Sequence, residues 1–248
     1  MNWIVITSED QVTPDSLRIY GQRYQHILYI LKKKISDRIR VIIPGHKKGL
    51  YSLSRITPEF VEVVPFELEP FLFNSKFANI EIFFALPRPQ TGKKILHLCG
   101  VYGIGKIHFI FPHHKNKEYL TSPLYQGGET KEIFDGMSQS GNPFVTEINY
   151  VRSPPLFHQA LQQNQTFIFD PRGESFSQLG KDLKFTSYKN QVIQFVFGPE
   201  SGFTLEELEV FKKMNLRIVS LGNIVLRTEY AFHGFLHETN NILEAEST

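Results

Sequence analysis

Two glycine-bearing loops near the end of the chain constrain its fold more than any other feature. Each loop follows an apolar run typical of a buried strand, Val192–Phe197 for the first and Leu216–Leu221 for the second, and precedes a helical pattern. The first loop, 198–203, reads GPESGF, and the second, 221–229, reads LGNIVLRTE. Glycine lets the backbone approach a ligand closely, and open parallel sheets bind ligands at the carboxyl ends of their strands. The pattern therefore predicts a ligand site formed by both loops.

From residue 79 onward, strand and helix patterns alternate along the chain. Thr204 and Glu207 form a capping box at the start of one helical pattern, because each side chain can bond the other residue's backbone N–H. Alternation of this kind predicts an α/β fold with a mostly parallel sheet and helices on both faces. The predicted strands are Ile80–Leu86, Lys106–Phe111, Thr166–Asp170, Val192–Phe197 and Arg217–Leu221, and the predicted helices are Thr91–Tyr102, Glu129–Ser138, Pro155–Gln163, one from Thr204, and Glu229–Asn240.

The amino-terminal part of the chain reads as short strands instead. One helix precedes them, and a turn-rich loop at 44–49 separates the first two strands. Short strands with a single helix predict a small β-barrel module, and the segment from Pro65 to Asn79 is expected to connect it to the rest of the chain. The predicted elements are the helix Gln22–Leu31 and the strands Arg38–Ile43, Leu50–Ile56 and Phe60–Val64.

Charge is unevenly distributed, although the whole chain carries a formal net charge of only +2. Residues 1–55 hold ten basic and four acidic residues. A basic amino-terminal part favours attraction to phosphate, but scattered lysines on a solvated surface give the same count. Charge by itself leaves both interpretations open.

Several protein classes have no support in the sequence. No apolar run approaches the roughly 20 residues that span a bilayer, and no signal peptide opens the chain, so no membrane association is expected. Cys99 is the single cysteine and lies in an apolar stretch, which predicts a buried, unreactive thiol and a cytoplasmic location. Walker A and GxGxxG motifs are missing, so ATP and NAD are not expected. His233 and His237 are four residues apart but lack an obvious third ligand, so no metal is expected.

The loop sequences resemble those of the ribosomal RNA small subunit methyltransferase E family, a SPOUT-class group that methylates uracil N3. The characteristic motifs of that family are approximately GPEGGF, then a helix, then LG-x-x-ILRTETA. Earlier in the chain the family has a QSGR motif and, more loosely, HHL followed by VLR. The similarity runs along nearly the whole chain in the same order. The matching positions are Gly198, Pro199, Glu200, Gly202, Phe203, Leu221, Gly222, Leu226–Glu229 and Ala231, then Gln139–Gly141, and more loosely His26–Leu28 with Leu31 and Lys32.

The resemblance implies a two-part α/β architecture. Residues 1–70 are expected to form a PUA-like RNA-binding β-barrel, and 71–248 a SPOUT methyltransferase domain with a trefoil knot. It also implies S-adenosylmethionine as the cofactor, a homodimer, and ribosomal RNA or the small ribosomal subunit as the partner. The cofactor positions carried over are Phe169, Gly198, Pro199, Glu200, Gly202, Leu221, Gly222, Asn223, Leu226 and Arg227.

Given this resemblance, the chemistry of methyl transfer suggests candidate catalytic residues, and the basic amino-terminal part suggests candidate RNA-binding residues. Arg227 is expected to steady negative charge on the substrate, and Glu229 to accept the proton that leaves uracil N3. An equally weighted interpretation makes Glu229 a dipole partner at the start of the last helix. The residues expected to contact RNA phosphates are Arg23, Lys32, Lys33, Lys34, Arg38 and Lys47.

The chain departs from the family pattern at several places. Ser201 replaces a glycine, at a cost on the order of 1 kcal/mol if that site requires a positive φ. Tyr230 replaces a threonine, Asn142 replaces an arginine, and Cys99–Gly103 lacks the polar residues of the family's KATELG helix. These departures support an alternative, a non-catalytic or retargeted RNA-binding protein on the same fold.

Overall fold

The computed structural model describes residues 3–70, 75–111, 117–161, 165–178 and 191–245. These residues form a mixed α/β structure with two six-stranded sheets. Within the described part of the chain, no helix is both long enough and apolar enough to cross a bilayer.

The amino-terminal sheet is antiparallel except where its first strand pairs with the fourth. A short helix, α1 (Gly21–Gln25), continues as a π-helix over His26–Ile30, close to the predicted helix Gln22–Leu31. Its Ile27 packs into the core of this sheet. The strand order is β1-β4-β5-β6-β3-β2. The strands are β1 (Ile4–Val5), β2 (Gln11–Val12), β3 (Leu17–Ile19), β4 (Arg38–Ile43), β5 (Lys47–Ile56) and β6 (Val61–Leu68).

The end of β6 corrects the sequence prediction, which places the start of the connection at Pro65. The strand continues to Leu68, because Pro65 lies opposite Tyr51 at a register shift in the β5–β6 pairing. The pairing of β6 with β3 ends at Val63, so beyond it that side of β6 is a free edge. Proline is tolerated at such edges and irregularities since no backbone N–H is needed there.

The second sheet is entirely parallel. Its strand order is β12-β10-β11-β7-β8-β9. Two 3₁₀ turns, Lys117–Thr121 and Leu124–Gln126, follow β8. The strands are β7 (Ile80–Ala85), β8 (Lys106–Ile110), β9 (Glu147–Val151), β10 (Gln165–Ser175), β11 (Ile193–Phe197) and β12 (Arg217–Ser220), and the helices are α2 (Pro89–Tyr102), α3 (Glu129–Ser140), α4 (Pro154–Leu161), α5 (Leu205–Lys213) and α6 (Thr228–Ala245).

Helices cover both faces of the parallel sheet, as the alternating pattern predicts. Side chains of α2, α3 and α6 join one core cluster, whereas α4 and α5 join a second cluster on the opposite face. The capping box of Thr204 and Glu207 at α5 is present. The largest differences from the prediction are β10, which extends five residues past Asp170, α6, which extends five residues past Asn240, and β9, which the pattern does not predict. The helix α4 ends at Leu161, before the stretch 162–164 that lies outside the described residues.

Close packing of α2 on α3 explains one departure from the family pattern. A Cβ at Gly100 would lie 2.0 Å from the Ile133 carbonyl oxygen, and one at Gly136 would lie 2.1 Å from the His97 carbonyl oxygen. Cys99 is fully buried beside this contact, and burial raises the pKa of its thiol, as expected for an inert core cysteine. The Cys99–Gly103 segment therefore serves helix packing.

The two sheets are connected by direct hydrogen bonds as well as by the chain. The Trp3 N–H donates to the Ser138 carbonyl at 2.8 Å, and the Ser138 hydroxyl donates to the Trp3 carbonyl at 2.6 Å. The Gly45 N–H donates to the Pro143 carbonyl at 2.8 Å. These bonds attach β1 and the β4–β5 turn to the end of α3 and the segment that follows it.

Candidate active site

Both glycine-bearing loops open into one cavity of about 1190 Å³. The first loop follows β11 and the second follows β12, so they meet at the carboxyl edge of the sheet, where the sequence predicts a ligand site. Asn223 does not line the cavity. The other nine residues predicted to bind a cofactor do line it: Phe169, Gly198, Pro199, Glu200, Gly202, Leu221, Gly222, Leu226 and Arg227.

The first loop turns at Gly202, a position that matches the family motif. Gly202 has φ +76 and donates its N–H to the Pro199 carbonyl at 2.8 Å. Ser201 is absent from the described non-glycine residues with positive φ, so the strain expected there does not occur. At Gly198 the absence of a side chain matters for packing, because a Cβ would lie 2.9 Å from the Phe203 ring.

Arg172 ties this loop to β10. Its guanidinium makes two bonds to the Asp170 carboxylate, at 2.7 and 2.8 Å, and donates to the Phe203 carbonyl at 2.8 Å. Burial of Asp170 opposes ionisation, but the bonds from Arg172 outweigh burial and lower the pKa of the carboxyl. The sequence motifs contain no signal for this tether, which depends on β10 lying beside β11.

The second loop is exposed and apolar. Gly222 has φ +117, and its N–H donates to the Ser220 hydroxyl oxygen at 3.1 Å. Ile224 and Val225 are 77% and 81% exposed, far more than apolar side chains usually are. An apolar loop beside an open cavity can contact a flat apolar ligand or a second protein surface.

The two predicted catalytic residues have different surroundings. Arg227 lines the cavity, is exposed, and makes no ion pair with any described residue. Glu229 is 7% exposed, and its carboxylate lies 3.2 Å from Lys94 Nζ of α2. Lys94 Nζ also lies 5.8 Å from the centre of the Tyr230 ring. Tyr230, which replaces the threonine of the family, therefore lies beside a lysine that lines the cavity and does not close the cavity.

A second ion pair at the cavity also escapes the sequence motifs. Arg88 Nη2 lies 2.6 Å from Glu200 Oε2, which joins the residue preceding α2 to the first glycine loop. The two residues are 112 positions apart in the sequence. Only the pairing of β7 with β11 brings them together.

The predicted RNA-binding residues lie on the amino-terminal unit, and none of them lines the cavity. Arg23 forms ion pairs with Asp10 and Glu9, each at 3.0 Å. Arg38 stacks its guanidinium 3.5 Å from the centre of the exposed Phe66 ring. No ion pair within the described chain involves the remaining candidates, which are Lys32, Lys33, Lys34 and Lys47.

Asn142, where the family carries arginine, has a local structural role. Its amide donates to the Gly100 carbonyl at 2.8 Å and accepts from the Phe144 N–H at 3.0 Å. Asn142 therefore fixes the chain that leaves α3. Among the described residues, no group of three histidine, cysteine or acidic side chains could hold a metal ion.

Comparison with known proteins identifies the class of this chain. Residues 74–237, more than half of the chain, match the family described as an RNA methyltransferase domain. A protein named Ribosomal RNA small subunit methyltransferase E 1, from Borreliella burgdorferi, is 25% identical over 232 residues, covering 93% of this chain and 94% of that protein. The chain belongs to the ribosomal RNA small subunit methyltransferase E family, as its loop motifs predict.

Solved structures share the fold at low sequence identity. A Ribosomal RNA small subunit methyltransferase E from Neisseria gonorrhoeae, described as bound to S-adenosyl methionine, superposes with a TM-score of 0.73 at 16% identity and covers 100% of this chain and 97% of that one. A putative methyltransferase from Legionella pneumophila, described in complex with the same cofactor, gives 0.75 at 19% identity with 98% and 96% coverage.

Proposed function

We propose that this protein transfers a methyl group from S-adenosylmethionine to N3 of a uridine in small-subunit (16S) ribosomal RNA. The observation that carries the proposal is the cavity that both glycine-bearing loops line at the carboxyl edge of the parallel sheet. Enzymes of ribosomal RNA act where ribosomes are made, so the cytoplasm is the proposed compartment.

The cavity fits the methyl donor chemically. Its walls combine backbone groups of Gly198–Gly202 and Gly222 with apolar side chains such as Leu221 and Leu226, which suits a flat adenine with a polar tail. Around Gly202 and Gly222, a Cβ would meet no atom within 4 Å, so these positions are open on the side where a side chain would stand. The donor supplies an electrophilic methyl on a sulfonium; the protein supplies position and orientation.

Arg227 is proposed to act on the substrate side. Its exposure at the cavity, free of described acidic partners, leaves the guanidinium available for a phosphate or for charge that develops on the base. Glu229 is proposed as a proton acceptor through the resemblance. Its position in the first turn of α6 supports the alternative role of dipole partner, and its contact with Lys94 also joins α6 to α2.

The amino-terminal unit is proposed to be a PUA-like barrel that binds RNA, with the boundary to the methyltransferase domain near residue 70. Exposed cations on β4 and after α1 support this assignment, and the Arg38–Phe66 stack offers a cation beside an aromatic face. Arg23 is the weakest of the proposed contacts because two carboxylates already hold it.

A trefoil knot and a homodimer complete the proposal. After β11 the chain crosses β10, and β12 pairs with the side of β10 that faces away from β11. This strand order supports a threaded carboxyl-terminal segment. The exposed Ile224, Val225 and Tyr230 support a self-contact beside the cavity, because a second copy would remove this apolar surface from water.

The test is direct. Ribosomal RNA from a strain lacking the protein is digested and compared by mass spectrometry with RNA from the complemented strain. Loss of 3-methyluridine at one small-subunit position, restored by the purified enzyme with S-adenosylmethionine, supports the proposal. A modification that persists in the deletion strain, together with calorimetry that detects no S-adenosylhomocysteine binding, would leave the non-catalytic alternative.

A further inference from the structure

A second cavity of about 540 Å³ lies next to the first. Its own walls come from the ends of β7 and β8 and from the start of α5, including Ala85, Ile110 and Thr204. The volume lies within the range of small-molecule sites and exceeds that of a single base. The loop 198–202 lines both cavities and therefore separates them.

Side chains at this boundary carry the polar and aromatic groups that a base requires. Arg88, Glu200 and Tyr119 line both cavities, and the Arg88–Glu200 ion pair stands on the dividing line. A methyl transfer needs donor and acceptor in line, with the reacting atoms about 3 Å apart. Two cavities that share a boundary provide that arrangement when each holds one reactant.

We propose that the second cavity receives the acceptor base and that Arg88 and Glu200 bind its imide edge. The inference rests on the proposed function, because it assumes a uracil acceptor. It reassigns Glu200 from the methyl donor to the RNA and moves the role of proton acceptor from Glu229, which is paired with Lys94, to Glu200. Arg88 and Glu200 thereby join Arg227 as catalytic residues.

The imide edge of uracil alternates a carbonyl, the N3–H and a second carbonyl. A carboxylate beside a guanidinium is complementary to this edge. The Glu200 carboxylate accepts a hydrogen bond from N3–H, and the Arg88 guanidinium donates one to the adjacent carbonyl oxygen. In the reaction the N3 proton passes to the Glu200 carboxylate, the N3 electron pair forms the bond to the methyl carbon, and the methyl–sulfur bond breaks with its electrons remaining on sulfur. Arg88 stabilises the negative charge that develops on the carbonyl oxygen.

Two further features fit an unstacked base at this boundary. Tyr119 is partly buried against the core, so its ring is held in place and offers a stacking surface. Arg88 directly precedes α2, which has Pro89 at its first position and no acidic residue in its first turn, so the positive end of the helix dipole faces the developing charge.

The test separates binding of the donor from transfer to the acceptor. Arg88→Gln and Glu200→Gln are assayed for S-adenosylhomocysteine affinity by calorimetry and for 3-methyluridine formation on small-subunit RNA by mass spectrometry. We expect kcat to fall at least 100-fold in both variants while donor affinity changes less than threefold. Tyr119→Phe should remain active whereas Tyr119→Ala should not.

The matched control is Arg217→Gln, which breaks an exposed ion pair with Glu174 that lines neither cavity and should leave both readouts unchanged. Full activity of Arg88→Gln and Glu200→Gln, or a loss of donor affinity parallel to the loss of kcat, overturns the inference while the proposed function stands. A wild-type enzyme that forms no 3-methyluridine overturns both.

Discussion

The two ends of the parallel sheet carry polar side chains on the same face, and both cavities described above lie at its carboxyl end. Because side chains alternate along a strand, Thr166 and Asp170 of β10 point to one face, and Gln194 of β11 lies opposite Thr166. Near the amino ends, polar groups bond each other across the strands. Near the carboxyl ends they surround open space.

The amino-end polar row is closed by its own contacts. Thr166 donates to the Gln194 amide oxygen at 2.9 Å, and the Gln194 amide donates to the Glu81 carboxylate at 3.0 Å. His108 Nε2 lies 3.3 Å from the same carboxylate, close enough for electrostatic attraction although its angle is outside hydrogen-bond geometry. His108 stacks on Phe83. Because the Thr166, Gln194 and Glu81 side chains bond one another, this row stabilises the sheet, whereas a ligand site requires polar groups left facing a cavity.

The largest expected effect comes from breaking the polar row. Glu81→Ala leaves the buried Gln194 amide and His108 without their shared partner, which should lower the free energy of unfolding by about 2–4 kcal/mol. Urea denaturation measures this change. S-adenosylhomocysteine affinity of the folded variant should stay at the wild-type value, and a large loss of affinity would contradict the separation of the two ends.

Acid should weaken the amino end through the same residue. Contact with the His108 imidazole lowers the pKa of Glu81 below its ordinary 4.5, against the effect of burial, and Gln194 and Lys106 add to it. A carboxyl with a lowered folded-state pKa stabilises the fold fully above its unfolded pKa and loses that contribution as pH falls through the lowered value. Unfolding free energies measured from pH 7 to 3 should therefore decline more steeply below about pH 4.5 in the wild type than in Glu81→Gln. Equal slopes would exclude Glu81 as the source.

At the carboxyl end, Arg172→Gln should act mainly on the ligand. Loss of the bonds to Asp170 and to the Phe203 carbonyl releases the first glycine loop, and we expect donor affinity to fall roughly 10-fold. Calorimetry provides the measurement. If affinity is unchanged while the unfolding free energy falls by several kcal/mol, the tether belongs to the fold instead of the site.

Backbone conformation at the two loops should give a smaller effect. Gly222→Ala places a side chain at φ +117, which costs on the order of 1 kcal/mol and should weaken donor binding about fivefold. Ser201→Gly is the matched control: it restores the family residue where no positive φ is needed, so donor affinity should change less than twofold. A large gain from Ser201→Gly would mean that the loop adopts another conformation with ligand bound.

The smallest expected effect tests the amino-terminal unit. Replacing Lys32, Lys33 and Lys34 by glutamine removes three cations, so RNA affinity should depend less steeply on salt. Donor affinity should not change, because none of the three lines the cavity. Filter binding at several salt concentrations measures the slope, and an unchanged slope would remove these lysines from the RNA contact.

Sequence reasoning succeeded where local pattern decides the structure. The helices on both sheet faces, the Thr204–Glu207 capping box and the buried Cys99 follow from periodicity, cap chemistry and apolar context. It failed for strands of two or three residues such as β1 and β2, since so short a segment has no measurable period. It also ended this strand at Val64, before Pro65, because the edge position that tolerates proline depends on which strands pair with β6.

By itself, the sequence determined the family, the parallel α/β layout and the two loops that line the cavity, because these depend on local backbone preferences and on motif order. Tertiary structure decided which charges meet. Arg88 and Glu200, Lys94 and Glu229, and Arg172 with the Phe203 carbonyl are contacts between elements that only the strand order brings together. It also decided that Ser201 is unstrained and that Asn142 bonds backbone, since φ and hydrogen-bond partners are properties of the folded chain.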